Sequence, residues 1–114
     1  MIQARFEKSE DGKTLILAVK GHSEQAVSGQ DIVCAAASIL AYMVAQMVKT
    51  MREDGKLKKA PTVRMDSGDA VITCKPTKQF FGEALHTYRV AQTGYELLAH
   101  TYGEYVRVTK FGEA

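Results

Sequence analysis

The segment from Ile32 to Met51 constrains this chain more than any other. It reads as a helix with apolar residues on nearly every side: Ile32, Val33, Ile39, Leu40, Met43, Val44, Met47 and Val48, interspersed with alanines. A helix of that kind is expected to be covered on most sides, and in a chain of 114 residues only the remaining elements can cover it. They are short. "IQARFEK" alternates at Ile2, Ala4 and Phe6, the period-2 mark of a half-buried strand. "TLILAVK" returns after Asp11-Gly12, a hairpin signal, and Gly21 ends it. "TVRMD" and "AVITCK" make a second hairpin around "SGD". Phe81, Ala84, Leu85, Tyr88, Tyr95, Leu98 and Tyr102 recur at helical spacing and predict an amphipathic helix over 79–101, followed by a final strand in "EYVRVTKF". The order ββαββαβ predicts an α+β fold, a mainly antiparallel sheet of about five strands packed with two helices. One domain spanning 1–114 is expected.

Hydrophobic residues make up 46% of the chain and charged residues 25%, as in ordinary soluble globular proteins. No uninterrupted apolar run is long enough to span a bilayer. The N-terminal "MIQARFEKSE" lacks an apolar secretory core, so a cytoplasmic protein with no membrane partner is expected. Two cysteines allow at most one disulfide, and the cytosol disfavours even that. A net charge of +2 is too small to argue for nucleic acid, and no direct nucleic-acid partner is expected. Residues 49–64, "KTMREDGKLKKAPTVR", nevertheless carry six basic and two acidic side chains. The simpler reading is a solvated loop after a helix; the sharper one is a docking patch for an acidic or RNA-rich partner.

The chemistry concentrates in "GHSEQAVSGQDIVCAAAS", residues 21–38. Asp31 is a good N-cap, since its carboxylate can accept from free first-turn amides. Cys34 then falls at the third helical position, where outward amides and the helix dipole favour thiolate over thiol. His22 follows Gly21 at a strand end, and the loop between them and the helix is long enough to bring His22 beside Cys34. There it would serve as imidazolium partner or base. The same first-turn amides would stabilise an oxyanion. Ser38 lies one turn beyond Cys34 on the same face and would orient His22 or touch substrate, although helix serines commonly bond back to their own helix. Each piece has an ordinary alternative, a cysteine being most often a small buried hydrophobe. The conjunction of strand-end glycine, histidine, loop and capped cysteine is what points to a nucleophile and its base. The loop segment with Ser23, Val27, Ser28 and Gly29 has one apolar anchor and is expected to close over a peptide substrate.

Cys74 alternates with Ile72 on a strand and reads as core. His86 and His100 share a face of the second helix, but no close ligand pair accompanies them, so neither metal nor cofactor is expected. Met43, Met47 and Met51 read as core packing. Tyr88, Tyr95 and Tyr102 read as a stripe that serves core and partner interface together, which predicts a homodimer.

The motif Gly21-His22, Gly29, Asp31-Ile32-Val33-Cys34-Ala35-Ala36 and Ser38, with twelve residues from histidine to cysteine, resembles the signature of the ribosomal-processing cysteine proteases, the Prp family. The resemblance implies a homodimeric endopeptidase with His22 and Cys34 as catalytic dyad. Its implied substrate is the N-terminal extension of a large-subunit ribosomal protein of the L27 type, removed beyond a pair of aromatic residues. Family relatives in phage-like clusters imply a capsid- or scaffold-processing role instead. Ser23 stands where the family usually has alanine, which bears on the loop and substrate fit and not on the dyad. Two other classes compete: a non-catalytic ribosome-associated or dimerisation module using the basic segment with Cys34 buried, and a thiol-dependent acyl transferase or hydrolase of small molecules.

Overall fold

Strands β1 (Ile2–Lys8) and β2 (Leu15–Lys20) pair antiparallel, with Ala4 opposite Val19 and Phe6 opposite Leu17. The computed structural model describes residues 1–22 and 28–113, and of 28–31 the backbone alone. Helix α1 (Ser28–Glu53) follows, then the hairpin of β3 (Thr62–Asp66) and β4 (Asp69–Cys74), helix α2 (Phe81–Thr101) and strand β5 (Val106–Thr109). This is the ββαββαβ order that the alternating and helical periods predict. The sheet runs β3-β4-β2-β1-β5. All its pairings are antiparallel except β1 with β5, which are parallel.

Period-2 alternation turns Ile2, Ala4 and Phe6 of β1, Leu15 and Leu17 of β2 and Ala70, Ile72 and Cys74 of β4 to one buried face. Both helices cover that face, while Gln3, Arg5, Arg64 and Arg107 are exposed. Tyr88 and Tyr95 sit in the core. The Tyr88 hydroxyl donates to the Ile72 carbonyl at 3.1 Å and the Tyr95 hydroxyl to the Ala37 carbonyl at 2.7 Å. Each phenol thus buries its ring and still satisfies its polar end. Phe6 meets Tyr95 edge-on, centroids 5.9 Å apart. The tyrosine stripe is therefore chiefly internal packing; Tyr102 alone of the three is half-buried.

Helix α1 departs from the expectation of burial on most sides. Val33, Ala37, Ala41, Val44, Ala45, Val48 and Met51 are buried, but Ile32, Ile39, Tyr42, Met43 and Met47 are exposed, so Met43 and Met47 are not core. The reason is architectural: in a two-layer domain a helix meets the sheet along one face and has nothing to cover the other. The same apolar richness makes Ile32–Glu53, 22 residues with mean hydropathy 1.7, long and apolar enough to cross a bilayer although polar residues interrupt it. Its buried face packs on α2 and the sheet, as in the core helix of a folded domain.

Candidate active site

The β2–β4 register sets the site's frame. Lys20 at the end of β2 pairs with Asp69 at the start of β4, so the β3–β4 turn lies alongside the residues that leave β2. Gly21 donates its amide to the Gly68 carbonyl at 3.0 Å. Gly21 itself has φ of 102°, and a Cβ there would fall 2.0 Å from the Met1 carbonyl oxygen, so only glycine fits. The Met1 amino group donates to the His22 carbonyl at 2.5 Å. The backbone around His22 is thus anchored by Met1 on one side and by the turn on the other.

Opposite stands α1. Cys34 is half-buried on its sheet-facing side, with Ser38 one turn further on. A cavity of about 330 Å³ lies between them, lined by His22 and Cys34 together with Ser38 and Tyr42. Its apolar wall comes from Ile2, Val19, Met65 and Ala70, with Ala37 and Ala41 from the helix. The turn Asp66-Ser67-Gly68-Asp69 lines it as well. Arg64 braces that turn, one guanidinium nitrogen lying 3.0 Å from both Asp69 oxygens and its Nε 3.8 Å from Asp66. These groups are half-exposed, so the ion pairs fix geometry more than they add stability.

Gly21, His22, Cys34 and Ser38, distant along the sequence motif, are therefore gathered at one cavity. The helix start differs from the sequence reading. Because α1 begins at Ser28, Asp31 is its fourth residue and not its cap, and Cys34 is its seventh residue, in the second turn. The dipole fades beyond the first turn, and the Cys34 amide is committed to the helix ladder. The helix start thus does not bring the dipole and the free first-turn amides to Cys34. Ser28 and Gly29 belong to α1 and not to a loop. Ser23 and Val27 lie outside the described residues, as do the side chains of Ser28 and Asp31. The β3–β4 turn and Tyr42 are lining residues that sequence reasoning missed. The "SGD" signal marked the turn, but only the β2–β4 register tells what it stands beside.

Cys74 is the opposite case, buried at the end of β4. Burial pushes its thiol up to about 11, against a smaller lowering by a hydrogen bond with Tyr88. His86 and His100 are exposed on α2. The basic segment begins at the far end of α1, Lys49 lying fifteen helical residues past Cys34 and so roughly 22 Å along the axis. Within it Lys56 is engaged, 3.0 Å from Glu83 and 5.2 Å from the Phe80 ring centroid, whereas Lys49, Arg52, Lys58 and Lys59 are exposed.

The chain matches the family described as cysteine protease Prp over residues 1–107. No curated protein matches it significantly. Among solved structures it resembles the essential ribosomal processing protease Prp from S. aureus in complex with a substrate peptide, with TM-score 0.66 and 19% identity over 97% of this chain and 99% of that one. The same S. aureus protease with a covalently linked product peptide gives 0.65 and 21%, over the same shares. SMU.848 from Streptococcus mutans gives 0.69 and 23%, over 96% of this chain and 92% of that one. At these identities the likeness is one of fold, the same mixed, mostly antiparallel sheet with two helices.

Proposed function

This chain belongs to the cysteine protease Prp family, and from that membership we propose that it is an endopeptidase working through a Cys34–His22 dyad. The observation that carries the reading is that His22 and Cys34 line one cavity, with the nucleophile half-exposed to it. The Cys34 sulfur attacks the scissile carbonyl carbon, its thiol proton passing to His22. The tetrahedral species collapses, the C–N bond breaks, and His22 protonates the departing amine. Water then attacks the thioester as His22 takes its proton, and Cys34 leaves as thiol on regaining it. The S. aureus relative has been seen with a covalently linked product peptide, in keeping with a covalent route.

The substrate in this reading is an extended peptide, the N-terminal extension of a large-subunit ribosomal protein of the L27 type, in a cytoplasmic setting. The apolar wall of Ile2, Val19, Met65 and Ala70 suits an aromatic side chain that fixes register. A half-buried Cys34 in an open cavity also counts against the rival of a non-catalytic module with that cysteine sealed in the core. The test is incubation with the L27-type protein of the same genome, read by mass spectrometry. Cleavage after an aromatic pair, lost when the pair becomes Ala-Ala, supports the reading; an uncut protein, or equal cutting of both, removes it. A phage-type role would show as cleavage of a capsid or scaffold protein in its place.

The active unit we take to be a homodimer, and the apolar face of α1 is where a second copy would dock. Ile39 is 65% exposed, with Tyr42, Met43 and Met47 beside it and Leu97 of α2, also 65% exposed, across a shallow apolar groove. Monomeric surfaces seldom leave such a stripe bare. Sedimentation at micromolar concentration should give twice the 12.5 kDa chain mass, and Ile39→Glu should halve it. A monomeric parent protein would exclude this interface.

A further inference from the structure

We propose that Gly68 is a positioning residue for His22: its missing side chain is the space in which the imidazole rests. A Cβ built on Gly68 would lie 2.1 Å from His22 Nε2, 2.6 Å from Cε1 and 2.9 Å from Cδ2, so the ring lies directly against the turn. Gly68 also accepts the Gly21 amide at 3.0 Å. One residue thus holds the backbone before His22 and receives the ring after it. The turn is itself fixed, by the Asp66–Asp69 strand pair and by Arg64 on Asp69. A ring stopped on that side by backbone has its freedom cut toward the rest of the cavity, where Cys34 stands. This inference rests on the dyad reading above, since it assigns to the contact the aim of His22 at Cys34.

Gly68 has two reasons to be glycine, and they separate. Its φ is 74°, a region other residues rarely adopt. Gly12 has φ of 73° with nothing within 4 Å of its would-be Cβ. Gly12→Ala therefore reports backbone strain alone, and Gly68→Ala reports strain plus collision with the ring.

The experiment places both substitutions in the parent chain and in a His22→Ala background. It measures melting temperature, kcat and KM on a cleaved peptide, and the pH profile of Cys34 alkylation by iodoacetamide. Gly12→Ala should lower melting equally in both backgrounds and leave turnover unchanged. Gly68→Ala should lower melting more than Gly12→Ala in the parent, but only as much as Gly12→Ala once His22 is Ala. In the parent background it should cut kcat on the order of a hundredfold with KM near its original value, because a misplaced base slows the chemical step more than binding. The alkylation profile should move as well. If Gly68→Ala fails to fold, recovery of folding in the double variant supports the contact, and failure in both backgrounds overturns it. Equal melting losses in the two backgrounds, or unchanged kcat and alkylation profile, overturn the proposal while leaving the dyad standing. A parent whose Cys34 alkylation profile is the same with and without His22 defeats the dyad itself, and with it the catalytic meaning of the contact, whatever the melting data show.

Discussion

Cys34 and Cys74 are one side chain in two settings. Cys74 closes β4 on the buried face, hydrogen-bonded with Tyr88, and its thiol is pushed up to about 11 by the loss of water around it. Cys34 lies half-buried on α1, on the wall of an open cavity that His22 also lines. A thiolate is a nucleophile and a thiol is a weak one, so the surroundings, and not the residue type, divide chemistry from packing. The core supplies apolar burial to one cysteine; the cleft supplies the other with access and a neighbouring imidazole at the same cavity.

Substitution should give the largest contrast. Cys34→Ala is expected to lower peptide cleavage by roughly four orders of magnitude or more with the fold intact, and His22→Ala to lose about two or more of them. Cys74→Ala should keep turnover within about twofold while lowering stability by about 1 kcal/mol or more, from the small cavity it opens. Steady-state kinetics and urea denaturation on the three variants settle it; an active Cys34→Ala enzyme would break the comparison outright.

Labelling should sharpen it without mutation. At pH 7.5 a thiol titrating near 11 is thiolate in on the order of one molecule in a thousand or fewer, and Cys74 is shut away as well. Brief iodoacetamide treatment should mark Cys34 and leave Cys74 unmodified until the chain is unfolded, as peptide mass spectrometry would reveal. Comparable labelling of both in the native state would contradict the contrast.

The core thiol also carries a pH signature. Its folded pKa lies above the unfolded value, so the folded state keeps a proton that the unfolded chain releases. Stability is whole below about pH 8.5 and falls as pH rises toward 11, by about 1.4 kcal/mol per pH unit through that window. Burial raises Tyr88 and Tyr95 too, and their part in the loss adds in the same direction. Denaturation from pH 8 to 11 should show the decline, and Cys74→Val should flatten it; an unchanged slope in that variant would locate the titration elsewhere. The smallest effect expected is at Tyr95→Phe, which removes the hydroxyl held by the Ala37 carbonyl and should cost about 1 kcal/mol by the same measurement.

Much of this molecule could be read from its chain because local pattern and final structure agree. Ile2, Ala4 and Phe6 alternate and face the core; the helical spacing of Ala84, Tyr88, Tyr95 and Leu98 does the same for α2. Where pattern and structure part, the cause is non-local. Asp31 has the chemistry of a cap, yet the helix extends back to Ser28. Ile39 and Met43 look like core, yet burial depends on how many layers are available to cover a helix. At the site, the meeting of His22 and Cys34 at one cavity was legible because a compact motif carries both. Gly68 was not, because its meaning rests on strand register between β2 and β4, to which neither hairpin sequence alone gives a clue.

The tie between Tyr95 and Ala37 bears on the order in which the chain is made. Among the described residues, all those lining the cavity lie at or before Ala70. The hydroxyl that fastens α1, and the strand β5 that pairs with β1, come from the last third of the chain. A nascent polypeptide leaving the ribosome therefore holds His22 and Cys34 well before it holds Tyr95 and β5. Contacts of such long sequence separation form late. The frame around the cavity should therefore close only after Val106–Thr109 has been made, a delay set by topology alone.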